Sequence, residues 1–263
     1  MENLKKLKLY LLDMDGTIYL DNDLFDGTID FLNHIKEIGG RYMFLTNNSS
    51  KGVNEYIKKL SGMGIPAVKD DFLTSVDATV DYLQDKNYKK IYVFGTKSLK
   101  NQLIDEGFNI TDKLEDDIDL LLMGNDTELT FQKLEDACIL LNRGVDYVAT
   151  NPDWVCPTWY GSVPDCGAVS QMLHHATKRM PKFIGKPNPE MIYLAMKKTG
   201  FKEDETVIIG DRLYTDIASG VNAGVSSIFV LSGEGTMDDL ETSEVKPTYI
   251  FENVRKILNE LKA

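Results

Sequence analysis

Residues 7–17 read Leu7-Lys8-Leu9-Tyr10-Leu11-Leu12-Asp13-Met14-Asp15-Gly16-Thr17, an apolar run that stops at two carboxylates and a glycine. A short run without polar alternation predicts a strand buried on both faces. The next segment is helical in spacing: Ile29, Leu32, Ile35 and Ile38, closed by Gly39-Gly40. Tyr42–Leu45 is the next strand. Val53, Tyr56, Ile57 and Leu60 then stand at i, i+3, i+4 and i+7 of a second amphipathic helix. Further strands are expected at Ile91–Phe94, Leu120–Met123, Tyr147–Ala149, Phe183–Ile184, Val207–Ile209, Ser227–Leu231 and Tyr249–Phe251. Helices are expected near 99–105, 131–141, 168–177, 189–199 and 215–222, with a loop around Pro152, Pro157, Gly161 and Pro164. This alternation predicts an α/β fold, a Rossmann-like core with mainly parallel strands.

The composition sets bounds on the partners. The chain has 263 residues, with 41 Asp+Glu against 29 Lys+Arg and a formal net charge of −12. That surplus disfavours nucleic-acid polymers and anionic membrane surfaces. Three cysteines outside any CxxC spacing argue against a disulfide framework or a Cys-rich zinc site, and point to a reducing, cytoplasmic setting. No apolar stretch has the length of a membrane span, and residues 7–12 are too interrupted for a signal peptide. Gly62-Met63-Gly64-Ile65-Pro66-Ala67 matches GxGxxA only formally, because it follows a helix and contains Pro66.

In open α/β sheets, ligands bind beyond the carboxyl ends of the strands. Those positions hold Asp13-Met14-Asp15-Gly16-Thr17, Thr46-Asn47-Asn48-Ser49, and Gly210-Asp211-Arg212 with Asp216 beyond it. Gly185-Lys186-Pro187-Asn188-Pro189 precedes a predicted helix. Asp13 and Asp15, two apart on an extended strand, share a face. Asp211 would add a third carboxylate. Clustered carboxylates repel unless neutralised, and a hard divalent cation such as Mg²⁺ does this with oxygen ligands. Lys186, the Thr46 hydroxyl and backbone N–H groups would supply donors, which together suit phosphoryl transfer. Blander readings stand beside these. Asp13 and Asp15 alone read more readily as a solvated turn, Thr46–Ser49 also as a helix cap, and Asp216 also as an i, i+4 partner of Arg212.

These four segments, in this order, resemble those of the haloacid dehalogenase superfamily of phosphohydrolases, and most of all its NagD / 4-nitrophenyl phosphatase branch. Thr150-Asn151-Pro152-Asp153 is similar to that branch as well. The resemblance implies a small phosphomonoester as substrate, a sugar phosphate, nucleotide monophosphate or glycerol phosphate. It makes Asp13 the nucleophile and Asp15 the acid and base. Thr46, Asn47 and Lys186 would hold the phosphoryl oxygens. Mg²⁺ would be bound by the Asp13 and Asp211 carboxylates and the Asp15 main-chain carbonyl. Asp216 would orient metal-bound water or Lys186.

Spacing and resemblance together give a domain plan. The interval from Asp15 to Thr46 is used up by a turn, a small flap near Tyr19–Asp23 and one helix. The interval from Thr46 to Lys186 has room for a second α/β domain. The expected division is 1–74 and 181–263 for the core, with an inserted C2-type cap at 75–180. Candidate cap contacts to the leaving group are Asn151, Asp153, Asp165 and Cys166. The branch commonly has Pro-Gly-x-Gly-x where this chain has Pro164-Asp165-Cys166-Gly167-Ala168, so its substrate is not carried over. Cys166 reads more readily as a small neutral filler than as a reactive thiol. Trp154 and Trp159 read as packing residues or as cover for an apolar part of the substrate. Caps of such enzymes can offer dimer surfaces, which leaves a homodimer open. Two other functions stay open: a phosphomutase, which usually places its cap between the first two motifs, and a phospho-acceptor signalling module, roughly half this length.

Overall fold

Leu9–Leu12 forms the strand that the opening run predicts, shortened because Leu4–Lys6 turns as a 3₁₀ helix. Leu4 and Leu7 join the same core as Tyr10 and Leu12. The computed structural model describes residues 3–50, 52–158 and 161–263. Trp159 therefore lies outside the described residues, while Trp154 is exposed. The fold is mixed α/β, and the chain divides into two units: 1–46, 53–73 and 186–263 in the first, 47–52 and 74–185 in the second.

In the first unit the described residues form a six-stranded sheet. Its order is Tyr249–Phe251, Ser226–Val230, Thr206–Gly210, Leu9–Leu12, Arg41–Thr46 and Phe72–Thr74. Leu9–Leu12 runs parallel to both neighbours, Leu12 opposite Ile209 on one side and Phe44 on the other. All four of its residues are buried, as a central parallel strand requires. Tyr10 and Leu12 pack with Phe31 and Ile35 of the helix Thr28–Glu37 and with Ile257 of the helix Val254–Lys262. Tyr10 meets Phe31 edge to face, ring centroids 5.8 Å apart. Phe229 packs against Leu213 and Ile217 in a separate cluster. The flap near Tyr19–Asp23 is a two-stranded antiparallel ribbon, Tyr19–Leu20 with Asp23–Leu24.

In the second unit the described residues form a five-stranded sheet. Its order is Lys182–Phe183, Asp146–Ala149, Leu120–Met123, Ile91–Phe94 and Ile110–Thr111, every pair parallel. Because Lys182–Phe183 pairs with Asp146–Ala149, the second unit runs on to residue 185 rather than 180. The same strand ends one residue short of the expected Phe183–Ile184.

Other expectations are also revised. The Pro-rich segment is a hairpin, Val155–Thr158 against Gly161–Pro164, because a two-stranded ribbon tolerates prolines that a central strand rejects. Phe72–Thr74 and the helix Ser75–Gln84 were not anticipated, although Thr74 and Asp77 form a capping box. The helix expected at 215–222 is a π turn, Leu213–Ile217, followed by Ala218–Ala223. Among the described residues no helix is long and apolar enough to cross a membrane.

Candidate active site

Four of the expected residues come together, three from beyond the carboxyl ends of central strands and Lys186 from the turn before the helix Glu190–Thr199. The Asp13 N–H donates to the Ile209 carbonyl over 2.9 Å, which carries the parallel register one residue beyond Leu12. Asp13 thereby lies beside the turn that bears Asp211. Gly16 has φ +81° and its N–H donates to the Tyr19 carbonyl, turning the chain away. A Cβ at Gly16 would strike the Asp211 carboxylate, so glycine serves here both for conformation and for space.

Asp216 comes from the π turn Leu213–Ile217, a feature frequent at functional sites. Its Oδ2 accepts from the Arg212 N–H over 3.3 Å. A Cβ at Gly210 would collide with the Asp216 side chain. The Arg212 guanidinium pairs with Glu234 over 2.8 Å rather than with Asp216. Asp216 instead faces Lys186. Lys186 Nζ donates to Asp13 Oδ1 and to Asp216 Oδ1, each over 2.6 Å.

Asp13, Asp211 and Asp216 each offer a carboxylate oxygen within 4.8 Å of the others. With Lys186, three carboxylates share one ammonium, a surplus of two negative charges. The consequences appear in the titration behaviour. Burial, then Asp216, pushes Asp13 up to about 8 against the opposing pull of Lys186. Burial and Asp216 push Asp211 up to about 6. Lys186 stays protonated: burial works against its charge, but Asp13 and Asp216 outweigh it. Asp15 lies at the surface, and desolvation still raises its carboxyl while Lys59 opposes this.

The donor set fits a hard divalent cation. Asp211 Oδ1 is buried and receives no hydrogen bond, an arrangement that is costly unless something else meets that oxygen. Clustered carboxylate oxygens are the ligands that Mg²⁺ or Ca²⁺ prefers.

The remaining expected residues belong each to one of the two units. Thr46 ends the strand Arg41–Thr46 beside Leu9–Leu12 and is 8% exposed. Asn47 belongs to the second unit, where its Nδ2 donates to Asp153 Oδ1 over 2.9 Å. Its carbonyl accepts from Asn151 Nδ2 and from Ser75 Oγ. Asp165 caps the helix Cys166–Thr177 through the Cys166 N–H and accepts from Asn125 Nδ2. Burial pushes the Asp165 carboxyl up to about 7. Cys166 is fully buried, its thiol facing the Met123 carbonyl and raised well above the usual range by burial. The side chains of Asn151, Asp153, Asp165 and Cys166 thus make bonds inside the second unit.

The chain is similar to known proteins along nearly its whole length. The family model described as haloacid dehalogenase-like hydrolase matches residues 10–109, and a HAD-hydrolase-like model matches 183–257. An acid sugar phosphatase of Staphylococcus epidermidis is 33% identical over 260 residues, covering 98% of this chain and 100% of that protein.

The chain is a haloacid dehalogenase-like hydrolase.

Solved structures place it within that family. The crystal structure of a 4-nitrophenylphosphatase from Thermotoga maritima superposes with a TM-score of 0.93 at 39% identity, covering 98% of this chain and 99% of that one. A glycerol phosphate phosphatase from Mycobacterium tuberculosis, solved in complex with magnesium, gives 0.89 at 28% identity, covering 97% of this chain and 77% of that one. This haloacid dehalogenase-like hydrolase is NagD-like and is a phosphoric monoester hydrolase. Sequence reading passed over one segment at its site, Ser232-Gly233-Glu234-Gly235. The signal was available, because the segment comes after the apolar run Ser227–Leu231 as the other site segments come after theirs.

Proposed function

We propose that this hydrolase releases phosphate from a small phosphomonoester, a sugar phosphate, glycerol phosphate or nucleotide monophosphate, with Mg²⁺ as its cation. The observation that carries this reading is the Asp13–Lys186–Asp216 chain of hydrogen bonds beside Asp211. The names of the relatives, an acid sugar phosphatase and a glycerol phosphate phosphatase, support the substrate class.

The Asp13 and Asp211 carboxylates and the Asp15 main-chain carbonyl would hold Mg²⁺, which supplies positive charge against the phosphoryl oxygens. Lys186 holds the Asp13 carboxylate in place through its hydrogen bond to Oδ1. An Asp13 carboxylate oxygen attacks phosphorus, and the bond from phosphorus to the ester oxygen breaks. Asp15 gives its proton to the departing alkoxide. The Asp15 carboxylate then takes a proton from water, whose oxygen attacks phosphorus and displaces Asp13. Thr46, Asn47 and Lys186 supply donors to the phosphoryl oxygens, with Asp216 fixing Lys186. We assign selectivity for the leaving group to the second unit, in the role of cap.

A phosphate-release screen over a panel of phosphorylated metabolites and p-nitrophenyl phosphate, with Mg²⁺ or with EDTA, tests the reading. Release that needs Mg²⁺ and is abolished in Asp13→Asn is expected. Full activity of Asp13→Asn would remove it as nucleophile. Transfer to a second sugar without net phosphate release would point to a mutase.

A further inference from the structure

We propose that Ser232-Gly233-Glu234-Gly235 is a positioning loop that fixes the Asp211 carboxylate so that a single oxygen, Oδ1, is presented to the cation; this rests on the Mg²⁺ reading above. The loop comes after the strand Ser226–Val230 and grips Asp211 at two points. The Glu234 N–H donates to Asp211 Oδ2 over 2.7 Å, and the Gly235 N–H donates to the Asp211 main-chain carbonyl over 3.0 Å. With Oδ2 tied, rotation of the carboxylate is arrested. Oδ1 is the oxygen left buried without a hydrogen bond.

Two glycines close on that carboxylate from different segments. A Cβ at Gly233 or at Gly16 would overlap the Asp211 carboxylate. A Cβ at Gly16 would also come within 3.0 Å of the Gly233 Cα. The two segments are tied directly, because Ser232 Oγ donates to the Gly16 carbonyl over 2.8 Å. The donor residue is itself anchored: the Glu234 carboxylate pairs with Arg212 over 2.8 Å and accepts from the Tyr214 hydroxyl over 2.9 Å. The loop thus links the turn carrying Asp13 and Asp15 to the turn carrying Asp211.

Gly233 lacks the positive φ of Gly16, so alanine there tests close approach rather than backbone strain. Changing a partner that orients a metal ligand typically lowers metal affinity about 10–100-fold. The experiment is calorimetric titration of Mg²⁺ into the metal-free whole protein, as wild type, Gly233→Ala, Ser232→Ala and Asp211→Asn. Thermal unfolding without metal and Mg²⁺-activation curves accompany it. The expected result is a loss of Mg²⁺ affinity of about 10–100-fold in Gly233→Ala and a several-fold loss in Ser232→Ala. The Mg²⁺ concentration for half activation should move more than kcat does. Wild-type affinity in both loop variants, with affinity lost in Asp211→Asn, would overturn the positioning role and leave the cation site standing. Wild-type affinity in Asp211→Asn would overturn both. Should Gly233→Ala fail to fold, Ser232→Ala decides.

Discussion

Lys186 Nζ donates to Asp216 Oδ1 over 2.6 Å, and both side chains are almost wholly buried. The pair joins the turn before the helix Glu190–Thr199 to the π turn after Gly210. Removing one member of a buried pair typically costs about 3–5 kcal/mol, because the other charge is left uncompensated. Lys186→Met should therefore lower stability on that scale and reduce kcat by about 10²-fold or more, the scale of losing one preorganised donor. The double variant Lys186→Met/Asp216→Asn should recover part of the stability and none of the activity. Urea unfolding and steady-state rates on the four proteins of this cycle check both statements.

Asp15→Asn removes the proposed proton donor and later acceptor. General acid–base catalysis contributes about 10²–10⁴-fold, so turnover should fall on that scale. The first step should suffer less with p-nitrophenyl phosphate, whose phenolate leaves without help, than with a sugar phosphate. Stopped-flow should show a burst of nitrophenol and then slow turnover. Equal losses on both substrates and no burst would reject the assignment.

Asp165 makes stability depend on pH. Burial raises its carboxyl from 3.8 to about 7 in the folded chain. Between these values the folded state holds a proton that the unfolded state has released. Stability from this group is therefore greatest below about pH 4 and is lost as pH rises towards 7. Asp165→Asn removes that slope. Relative to wild type, the variant should gain about 2 kcal/mol between pH 5 and pH 7, at about 1.4 kcal/mol per unit. Urea midpoints at pH 5, 6, 7 and 8 measure this, and a difference that does not change with pH would rule it out.

Mg²⁺ should stabilise the folded chain. A cation at 100 times its dissociation constant adds about 2.7 kcal/mol, so Tm should rise with Mg²⁺ and fall with EDTA. Asp211→Asn should abolish the rise. In Asp216→Asn the rise should be smaller but present, since Asp216 Oδ1 already accepts from Lys186.

Much of the first unit was legible because the residues that matter come after apolar runs. Asp13, Thr46 and Asp211 each end or follow a buried parallel strand, and that placement needs only periodicity to read. Lys186 stands before a helix rather than after a core strand, and family resemblance singled it out. What sequence could not supply was partnership. Arg212 and Asp216 have helical spacing, yet the π turn breaks that register, and Arg212 turns to Glu234. The closeness of Gly16 and Gly233 to one carboxylate appears only once that carboxylate is placed. Asn151 and Asp165 are expected as cap contacts from the branch resemblance; what the sequence does not show is that both are buried and bonded within their own unit. The helix Val254–Lys262 was overlooked despite Val254, Ile257, Leu258 and Leu261 at i, i+3, i+4 and i+7.

Leu9 pairs with Arg41 on one side and with Thr206 on the other. The ribosome delivers the first partner within seconds and the second roughly 200 residues downstream, at about 5–20 residues per second. For ten seconds or more the nascent chain carries an apolar strand with one open edge, and such an edge recruits any strand that passes. Chaperone demand during synthesis should therefore centre on residues 9–12. Refolding of the 263-residue chain, where Thr206–Gly210 is present from the start, escapes that delay.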